Sequence, residues 1–225
     1  MGTFFHSIPE TVFSDLFAGD RRRFHRHRAN RRRYKSDCLL EEILRNPAEQ
    51  RGTGLLMLTY SDPKKDDDRW LYLPALKKVR RIAGESKNEY FMGTDFTYDD
   101  MGGRGIDQDT HKLLGEETID GVKCYKIESI PVDKNDMYSK KIGWVIPDKW
   151  VHLKVDFYDR KGQLIKTLKA EDIRNVSGVW MQFNLEMTNF SANHKTVLKI
   201  IEAKNDVLID DQIFTTSVLE RGGVK

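Results

Sequence analysis

Three residues with oxygen and nitrogen donors stand at alternate positions near the middle of the chain. Asp107, Asp109 and His111 are spaced i, i+2 and i+4, so an extended backbone would place their side chains on one face. Two carboxylates and an imidazole are ligands that zinc accepts. No further ligand is evident nearby, so a solvated loop ahead of a strand at Leu113 is the stronger interpretation. We therefore predict no catalytic residue, no metal and no cofactor, and keep a metal-dependent enzyme as an alternative.

A second distinctive segment is a run of eight arginines between Arg21 and Arg33 that contains no acidic residue. Guanidinium groups can bind phosphates, and Phe24 and Tyr34, which are interspersed with them, can stack on bases. Positive charge alone is a signal of low specificity, and a disordered arm or a segment without selected function would fit the same composition. Nucleic-acid binding is therefore an alternative function, and nucleic acid is not the expected partner.

The overall composition is that of an ordinary folded protein. The 225 residues suffice for one sizeable core, and 39% are apolar and 32% charged. No apolar run approaches the roughly 18 residues that span a bilayer, and no export signal is recognisable near the start. Cys38 and Cys124 are too few for a disulfide framework or a metal cage, and the sequence leaves open whether they pair.

Two short helices are predicted in the first 50 residues. The first covers residues 7–19, because Ser7 can cap it and Pro9 suits its first turn. The second covers residues 36–46 and ends before Pro47. Its apolar residues fall on one side at helical spacing: Leu39, Leu40, Ile43 and Leu44.

After residue 51 the pattern changes to short strands separated by turns. Strands are predicted over residues 53–60, 70–73, 116–119, 124–130, 142–146, 151–158, 164–170, 178–188 and 196–203. Asp120-Gly121 favours a type I′ turn between two of them. In residues 151–158 the alternation predicts that Val151, Leu153, Val155 and Phe157 point inward and His152, Lys154 and Asp156 outward.

The fold class follows from how these strands succeed one another. No helix of roughly 10 to 15 residues intervenes, so the strands form an antiparallel meander rather than βαβ units. A wide twisted sheet must cover its apolar face, and only a few short helices are available. We predict an α+β protein, mostly antiparallel β, with an open curved sheet that curls around a few short helices on its concave side or around a cavity.

Several motifs in succession resemble one protein family. They are RGTG at 51–54, WLYLP at 70–74, VRRI at 79–82, FMGTDFTYDD at 91–100, LLGEE at 113–117, YKIES at 125–129 and YDRKG at 158–162. Together they resemble the bacterial outer-membrane lipoprotein-sorting family, related to the LolA and LolB carriers, over residues 51–225. The chain then divides into an atypical basic segment with short helices, residues 1–50, and a LolA-like β domain, residues 51–225.

The resemblance implies a function as well as a fold. It implies a non-catalytic periplasmic carrier, an open half-barrel with helices across its mouth that holds lipid or lipoprotein acyl chains in an apolar cavity. For this branch of the family it also implies a membrane exporter of the resistance-nodulation-division class as a partner. We expect a monomer. The first 50 residues depart from the family pattern, since the signal peptide, the long amphipathic helix and the early strands are not recognisable there.

The predicted ligand contacts are apolar residues of these strands and motifs. A carrier needs them because each buried CH₂ group contributes about 0.8 kcal/mol. The candidates are Leu56, Leu58, Trp70, Tyr72, Phe91, Phe96, Tyr98, Trp144, Val155, Phe157, Met181, Phe183, Leu185 and Met187. For any one of them ordinary core packing is the simpler explanation, because sheet alternation alone predicts an apolar inner face.

Overall fold

Most of the described chain is β-strand. The computed structural model describes residues 2–6, 38–43, 52–60, 67–102, 104–203, 212 and 214–221. The strands are β1 Gly2–His6, β2 Cys38–Ile43, β3 Gly54–Thr59, β4 Asp68–Leu73, β5 Lys78–Ile82, β6 Asp109–Ile119, β7 Val122–Pro131, β8 Lys140–Ile146, β9 Val151–Tyr158, β10 Leu164–Val176, β11 Val179–Asn189 and β12 His194–Glu202. Two short α-helices are described, α1 Tyr98–Met101 and α2 Thr216–Glu220, with 3₁₀ turns at Gly84–Asn88, Phe91–Gly93 and Ile106–Gln108.

The large sheet has eight strands in the order β1-β12-β11-β10-β9-β8-β7-β6. From β6 to β12 each strand pairs antiparallel with the next, while β1 adds to β12 in parallel. Within the described residues β1 and β6 are its two edges, so the sheet stays open, as predicted. The turn between β6 and β7 is also as predicted, because Asp120 and Gly121 both have positive φ, 49° and 79°.

A second sheet of four antiparallel strands, β2-β3-β4-β5, replaces the single sheet that the sequence suggested. Here the predicted helix over residues 36–46 is wrong, since residues 38–43 form β2 and pair with β3. The short apolar run fits either structure, and backbone pairing to the edge of β3 decides for the strand. Early strands therefore do exist in this chain. The predicted helix over residues 7–19 and the arginine run lie outside the described residues.

The strand β9 does not keep one face toward the core. Across from it Trp144 pairs with Lys154 and Val145 with His152, so Leu153 is an extra residue at a β-bulge. The bulge shifts the alternation, because every residue before it changes face. Val155 therefore lies on the predicted face, whereas Val151 and Leu153 pack in a cluster on the other face. His152, predicted to point outward, is buried on the face of Val155.

We call the side of the large sheet that carries Val155 its inner face. The small sheet and the connection between β5 and β6 pack against it, and Tyr98 and Met101 of α1 are buried there. The prediction of short helices on the concave side is thus confirmed for α1. The other short helix, α2, contacts β3, β4 and β5 and buries Leu219.

Candidate ligand-binding site

An apolar cluster, which we call the inner cluster, lies between the inner face of the large sheet and the elements that cover it. The large sheet contributes Val155, Phe157, Ala170, Met181, Phe183, Leu185, Met187, Leu198 and Ile200. The covering elements contribute Leu55, Met57, Leu71, Ile82, Phe91, Phe96, Tyr98 and Met101, and the loop before β8 adds Tyr138. Every one of these side chains is buried. Alternation along β9 to β12 supplies the sheet's share, since every second residue points inward.

Most of the candidate ligand contacts meet in this cluster. Those brought together are Phe91, Phe96, Tyr98, Val155, Phe157, Met181, Phe183, Leu185 and Met187. They come from the connection before β6 and from β9 and β11, which are far apart in sequence. Their contact with a ligand stays a prediction.

Four candidates from the small sheet lie on its other face. Their positions follow from the register, in which Leu56 pairs with Trp70, Leu58 with Asp68 and Gly54 with Tyr72. The alternate residues of the same strands, Leu55, Met57 and Leu71, belong to the inner cluster instead. In a run of consecutive apolar residues the sequence does not say which of the two sets points inward. The contact of Leu56, Leu58, Trp70 and Tyr72 with a ligand stays a prediction.

Trp144 is also outside the inner cluster. It packs on the opposite face of the large sheet in a second cluster with Cys124, Ile142, Ile146 and Val151. The ammonium groups of Lys126 and Lys154 lie 5.1 and 4.4 Å from its ring centroid, in cation–π geometry. In the same cluster Cys124 is a free thiol, and burial raises its pKa.

Residues 83–108, which connect β5 to β6, form what we call the cover segment, and a buried ion pair anchors it to the large sheet. Asp100 of α1 accepts a hydrogen bond from the Nζ of Lys166 at 2.6 Å and from the hydroxyl of Tyr138 at 2.9 Å. The backbone N–H of Thr97 donates to the same carboxylate, and the Thr97 hydroxyl caps α1. Lys166 has no exposed surface.

The electrostatics of this anchor favour the charged state of Asp100. Burial by itself would raise the pKa of the Asp100 carboxyl, but the charge and hydrogen bond of Lys166 outweigh it and lower that pKa. Burial and the neighbouring carboxylate raise the pKa of Tyr138 well above its usual value. At neutral pH the anchor is thus a carboxylate held between an ammonium group and a phenol.

Arg104, four residues beyond Asp100, provides a second anchor of the cover segment. Its guanidinium donates to both oxygens of Asp109 on β6, at 2.8 and 2.7 Å, and to Asp136 in the loop before β8 at 2.6 Å. It also donates to Asp99 at 2.9 Å, and Asp99 lies 3.5 Å from Arg69 on β4. Burial opposes the charge of Arg104, yet these carboxylates raise its pKa. The network links both sheets through the cover segment.

A third anchor joins the cover segment to β12. Thr196 donates its hydroxyl to the Asp95 carboxylate at 2.7 Å, and the Asp95 backbone N–H donates to the same hydroxyl oxygen at 2.9 Å. His194 Nδ1 lies 2.7 Å from the same carboxylate. Asp95 and Thr196 are both buried, so this reciprocal pair satisfies polar groups at the margin of the inner cluster.

The three residues that suggested a metal site have other partners. Asp109 is bound by Arg104, and the two ring nitrogens of His111 contact the Ser129 hydroxyl and the Ile106 carbonyl at 2.9 and 3.1 Å. Asp107 is exposed. Because β6 begins at Asp109, two of the three stand in a strand and not in the predicted loop. No group of His, Cys, Asp or Glu within the described residues is arranged to hold a metal ion.

Comparisons with known proteins place this architecture in a family. Residues 42–221 match a family model described as that of an uncharacterized protein. A putative outer membrane lipoprotein-sorting protein domain from Vibrio parahaemolyticus is 33% identical in sequence, with a TM-score of 0.76 over 81% of this chain and 77% of that one. The chain belongs to the outer-membrane lipoprotein-sorting family.

Two more solved structures extend the comparison of this lipoprotein-sorting family member. A DUF1329 family protein from Desulfovibrio piger is 33% identical, with a TM-score of 0.76 over 80% of this chain and 76% of that one. A LolA superfamily protein from Nitrosomonas europaea is 24% identical, with a TM-score of 0.60 over 80% of this chain and 78% of that one, and shows the fold alone. A comparison with curated proteins found no match.

The polar anchors of this family member were missed by sequence reasoning. The FMGTDFTYDD motif contains four of the anchoring residues, Asp95, Thr97, Asp99 and Asp100. The motif indicated the family but not the structural role of these residues. For Lys166 the sequence pattern alone could have predicted a buried ion pair. Lys166 stands in alternation with Leu168 and Ala170 on β10, and a lysine at an inward position requires a buried partner. Within the described residues no helix is both long and apolar enough to cross a membrane.

Proposed function

We propose that this protein is a non-catalytic carrier that holds acyl chains of lipids or lipoproteins between the inner face of the large sheet and the cover segment. The observation that carries the proposal is the inner cluster, an apolar layer that lies between the large sheet and a cover made of the small sheet and the short helical turns of the cover segment. Family membership supports the same function, since the Vibrio relative is described as a lipoprotein-sorting domain.

The way in which the cover segment is attached supports reversible opening. Between residues 84 and 101 its described hydrogen bonds to the large sheet and to the loop before β8 all involve side chains, as with Lys166, Thr196 and Tyr138. A segment held by side-chain anchors can separate from a sheet without breaking a ladder of backbone hydrogen bonds. An acyl chain can then take its place against the apolar side chains.

The energetics are adequate for such an exchange. A chain of roughly 14 carbons offers about 10 kcal/mol on burial before ordering costs, at about 0.8 kcal/mol for each CH₂ group. Met57, Met101, Met181 and Met187 belong to the inner cluster. Unbranched thioether side chains adapt to flexible ligands better than branched ones do. Part of the burial energy must offset the separation of the cover segment.

We infer from the family that the carrier works in the periplasm as a monomer and exchanges lipid with a membrane exporter of the resistance-nodulation-division class. The inner cluster supports only the lipid-binding step. A pull-down from detergent-solubilised membranes with the purified protein, followed by mass spectrometry, tests the partner. Recovery of such an exporter in detergent extract is the expected result, and its repeated absence while lipid binding is intact contradicts the partnership.

The lipid-binding step is tested on the purified full chain. Mass is measured under native and denaturing conditions, and any adduct is extracted into organic solvent and identified. Uptake of a neutral fluorescent acyl probe is then measured by titration. A lipid adduct or saturable uptake of the probe is expected. A folded protein that carries no adduct and takes up no probe contradicts the carrier function and leaves the inner cluster as an ordinary sealed core.

A further inference from the structure

Lys141 on β8 is a buried lysine at the edge of the inner cluster. It pairs in register with Ser129 on β7 and Phe157 on β9, so its side chain lies on the inner face. It is only 9% exposed. Its Nζ is 5.3 Å from the ring centroid of Tyr138 and 6.0 Å from that of Phe157, and both rings belong to the inner cluster.

No anion is bonded to this ammonium group. Among the described residues, Lys141 Nζ forms neither a hydrogen bond nor an ion pair, and its described contacts are with the two aromatic rings. The other buried cations nearby each have a carboxylate, since Lys166 pairs with Asp100 and Arg104 with Asp109. A buried charge without a paired counter-ion is destabilising. Lys141 therefore provides an ammonium group that has no paired anion among the described residues of the free protein.

The surroundings of Lys141 suit an incoming anion. Ser129, directly opposite on β7, is 1% exposed, and its hydroxyl lies 2.9 Å from Nδ1 of His111. Burial and then the positive charge of Arg104 lower the pKa of Lys141, and the charges of Asp109 and two other carboxylates act against this without reversing it. An anion placed at Nζ would remove this electrostatic cost, because opposite charge favours the protonated ammonium group.

We propose that Lys141 binds the anionic head group, a carboxylate or a phosphate, of an acyl ligand whose chain lies against Phe157 and the inner cluster. This rests on the carrier function proposed above and defines its ligand class as acyl chains that end in an anion. The aromatic rings of Tyr138 and Phe157 separate the charged end of the site from the apolar side chains beyond them. The Ser129 hydroxyl is placed to donate a second hydrogen bond to the head group.

Three ligands with the same chain length test the proposal by competition against a neutral fluorescent acyl probe. Palmitate carries a carboxylate, palmitoyl lysophosphatidic acid a phosphate, and palmityl alcohol no charge. The native protein is expected to bind at least one of the two anions about tenfold or more tightly than the alcohol, as charge-assisted hydrogen bonds allow. The preferred anion identifies the source of the head group.

The decisive variant is Lys141→Met, which keeps an apolar stem and removes the charge. It is expected to lose the preference for anions, to bind the alcohol as the native protein does, and to unfold at an equal or higher denaturant concentration. Lys141→Arg should retain the preference. Lys140→Met is the matched control, since the neighbouring Lys140 lies on the opposite face, is 38% exposed and pairs with Glu128.

Three other results would overturn the proposal, and they differ in scope. If the native protein and Lys141→Met bind all three ligands with the same affinities, the protein binds acyl chains but Lys141 does not recognise their head groups. Marked loss of stability in Lys141→Met with an unchanged preference for anions would make Lys141 a structural residue. If the native protein binds none of the ligands and no neutral probe, the carrier function fails together with this inference.

Discussion

At the scale of single residues, buried charges control how the cover segment is held. Asp100, Lys166 and Arg104 are largely removed from water, and each has partners at hydrogen-bond distance. A buried ion pair adds little net stability, because the free energy of desolvating both charges offsets most of their attraction. Removing only one partner is strongly destabilising, because the other charge then stays buried and unpaired. The value of these pairs to a carrier is that they fix one position of the cover segment while remaining separable from the sheet.

Variants of Asp100 should show that losing one member of a buried pair destabilises the protein more than losing both. Asp100→Asn leaves Lys166 buried beside a neutral amide and is expected to lower the free energy of unfolding by about 3 to 5 kcal/mol. The double variant Asp100→Asn with Lys166→Met removes both charges and should recover most of that loss. Urea denaturation measures both. Asp172→Asn, which breaks an exposed pair with Arg174, should have little effect. Equal stability of Asp100→Asn and the native protein would contradict a buried, charged anchor.

His152 predicts how stability depends on pH. Burial, with the charge of Lys141, lowers the pKa of His152 from 6.5 to about 3. As pH falls, His152 therefore becomes protonated near pH 6.5 in the unfolded chain but only near pH 3 in the folded protein. This contribution to stability is complete above the unfolded pKa and is lost as pH falls below it, by about 1.4 kcal/mol per pH unit.

The measurement compares the native protein with His152→Gln, which cannot titrate. Urea unfolding at about pH 7 and about pH 5 gives the pH dependence of each. The native protein is expected to lose more stability on acidification, so the difference between the two proteins changes with pH while contributions from carboxylates cancel. Parallel losses would mean that His152 is protonated in the folded state.

At the scale of elements, alternation along a strand determines a face only as far as the next bulge. The strand β11 shows unbroken alternation, and Met181, Phe183, Leu185 and Met187 all reach the inner cluster. In β10 the inward position after Ala170 is occupied by the polar Asp172, with φ of 54°, although the register with β11 is continuous there. Inward positions of β11 are therefore the most dependable sites at which to test the inner face.

A charge placed on the inner face of β11 should disrupt the core. Leu185 is 1% exposed, and Leu185→Asp puts a carboxylate among apolar side chains. We expect several kcal/mol of destabilisation and loss of acyl-probe binding, because an unpaired buried carboxylate has no compensating interaction. Denaturation and probe titration measure the two effects. Lys199→Asp, at an exposed position of the neighbouring β12, is the control. Native stability in Leu185→Asp would contradict the inward position.

At the scale of the whole molecule, two sheets enclose the inner cluster and the cover segment connects them. The segment contacts the small sheet through Asp99 and Arg69, and the large sheet through Asp95 and Asp100. In the proposed carrier, exchange of a ligand amounts to a local opening that leaves both sheets intact. Local openings of this kind have a smaller free energy than global unfolding, so amide hydrogen exchange can separate them.

Arg104→Gln should favour that opening. The variant leaves the carboxylates of Asp109 and Asp136 without their shared cation, so the end of the cover segment is expected to detach. Hydrogen exchange should accelerate over residues 83–108 and change little over residues 179–189, and uptake of the acyl probe should become faster. Arg174→Gln, which alters an exposed pair, is the control. Acceleration throughout the chain would indicate global destabilisation instead of opening of the segment.

Local sequence pattern was enough to find β7 to β12 and the second half of β6, whereas β1 was not predicted. The boundaries of β9 agree with the prediction because alternation and the flanking turns are both local properties. The turn at Asp120-Gly121 could be predicted for the same reason, since two residues determine its type. The family motifs of residues 51–162 added the half-barrel and its short covering helices, which composition and periodicity alone do not specify.

Tertiary structure decided which side chains meet. The bulge at Leu153 depends on how β8 pairs with β9, and the strand at residues 38–43 depends on the edge that β3 offers to it. Lys166 and Asp100 are 66 residues apart, and Asp95 and Thr196 are 101 apart. Alternation is fixed by the geometry of one strand, whereas the partner of a buried charge is fixed by how distant segments pack. The sequence by itself therefore determined most strands of the large sheet and the family, and the packing determined β2, the anchors and the unpaired Lys141.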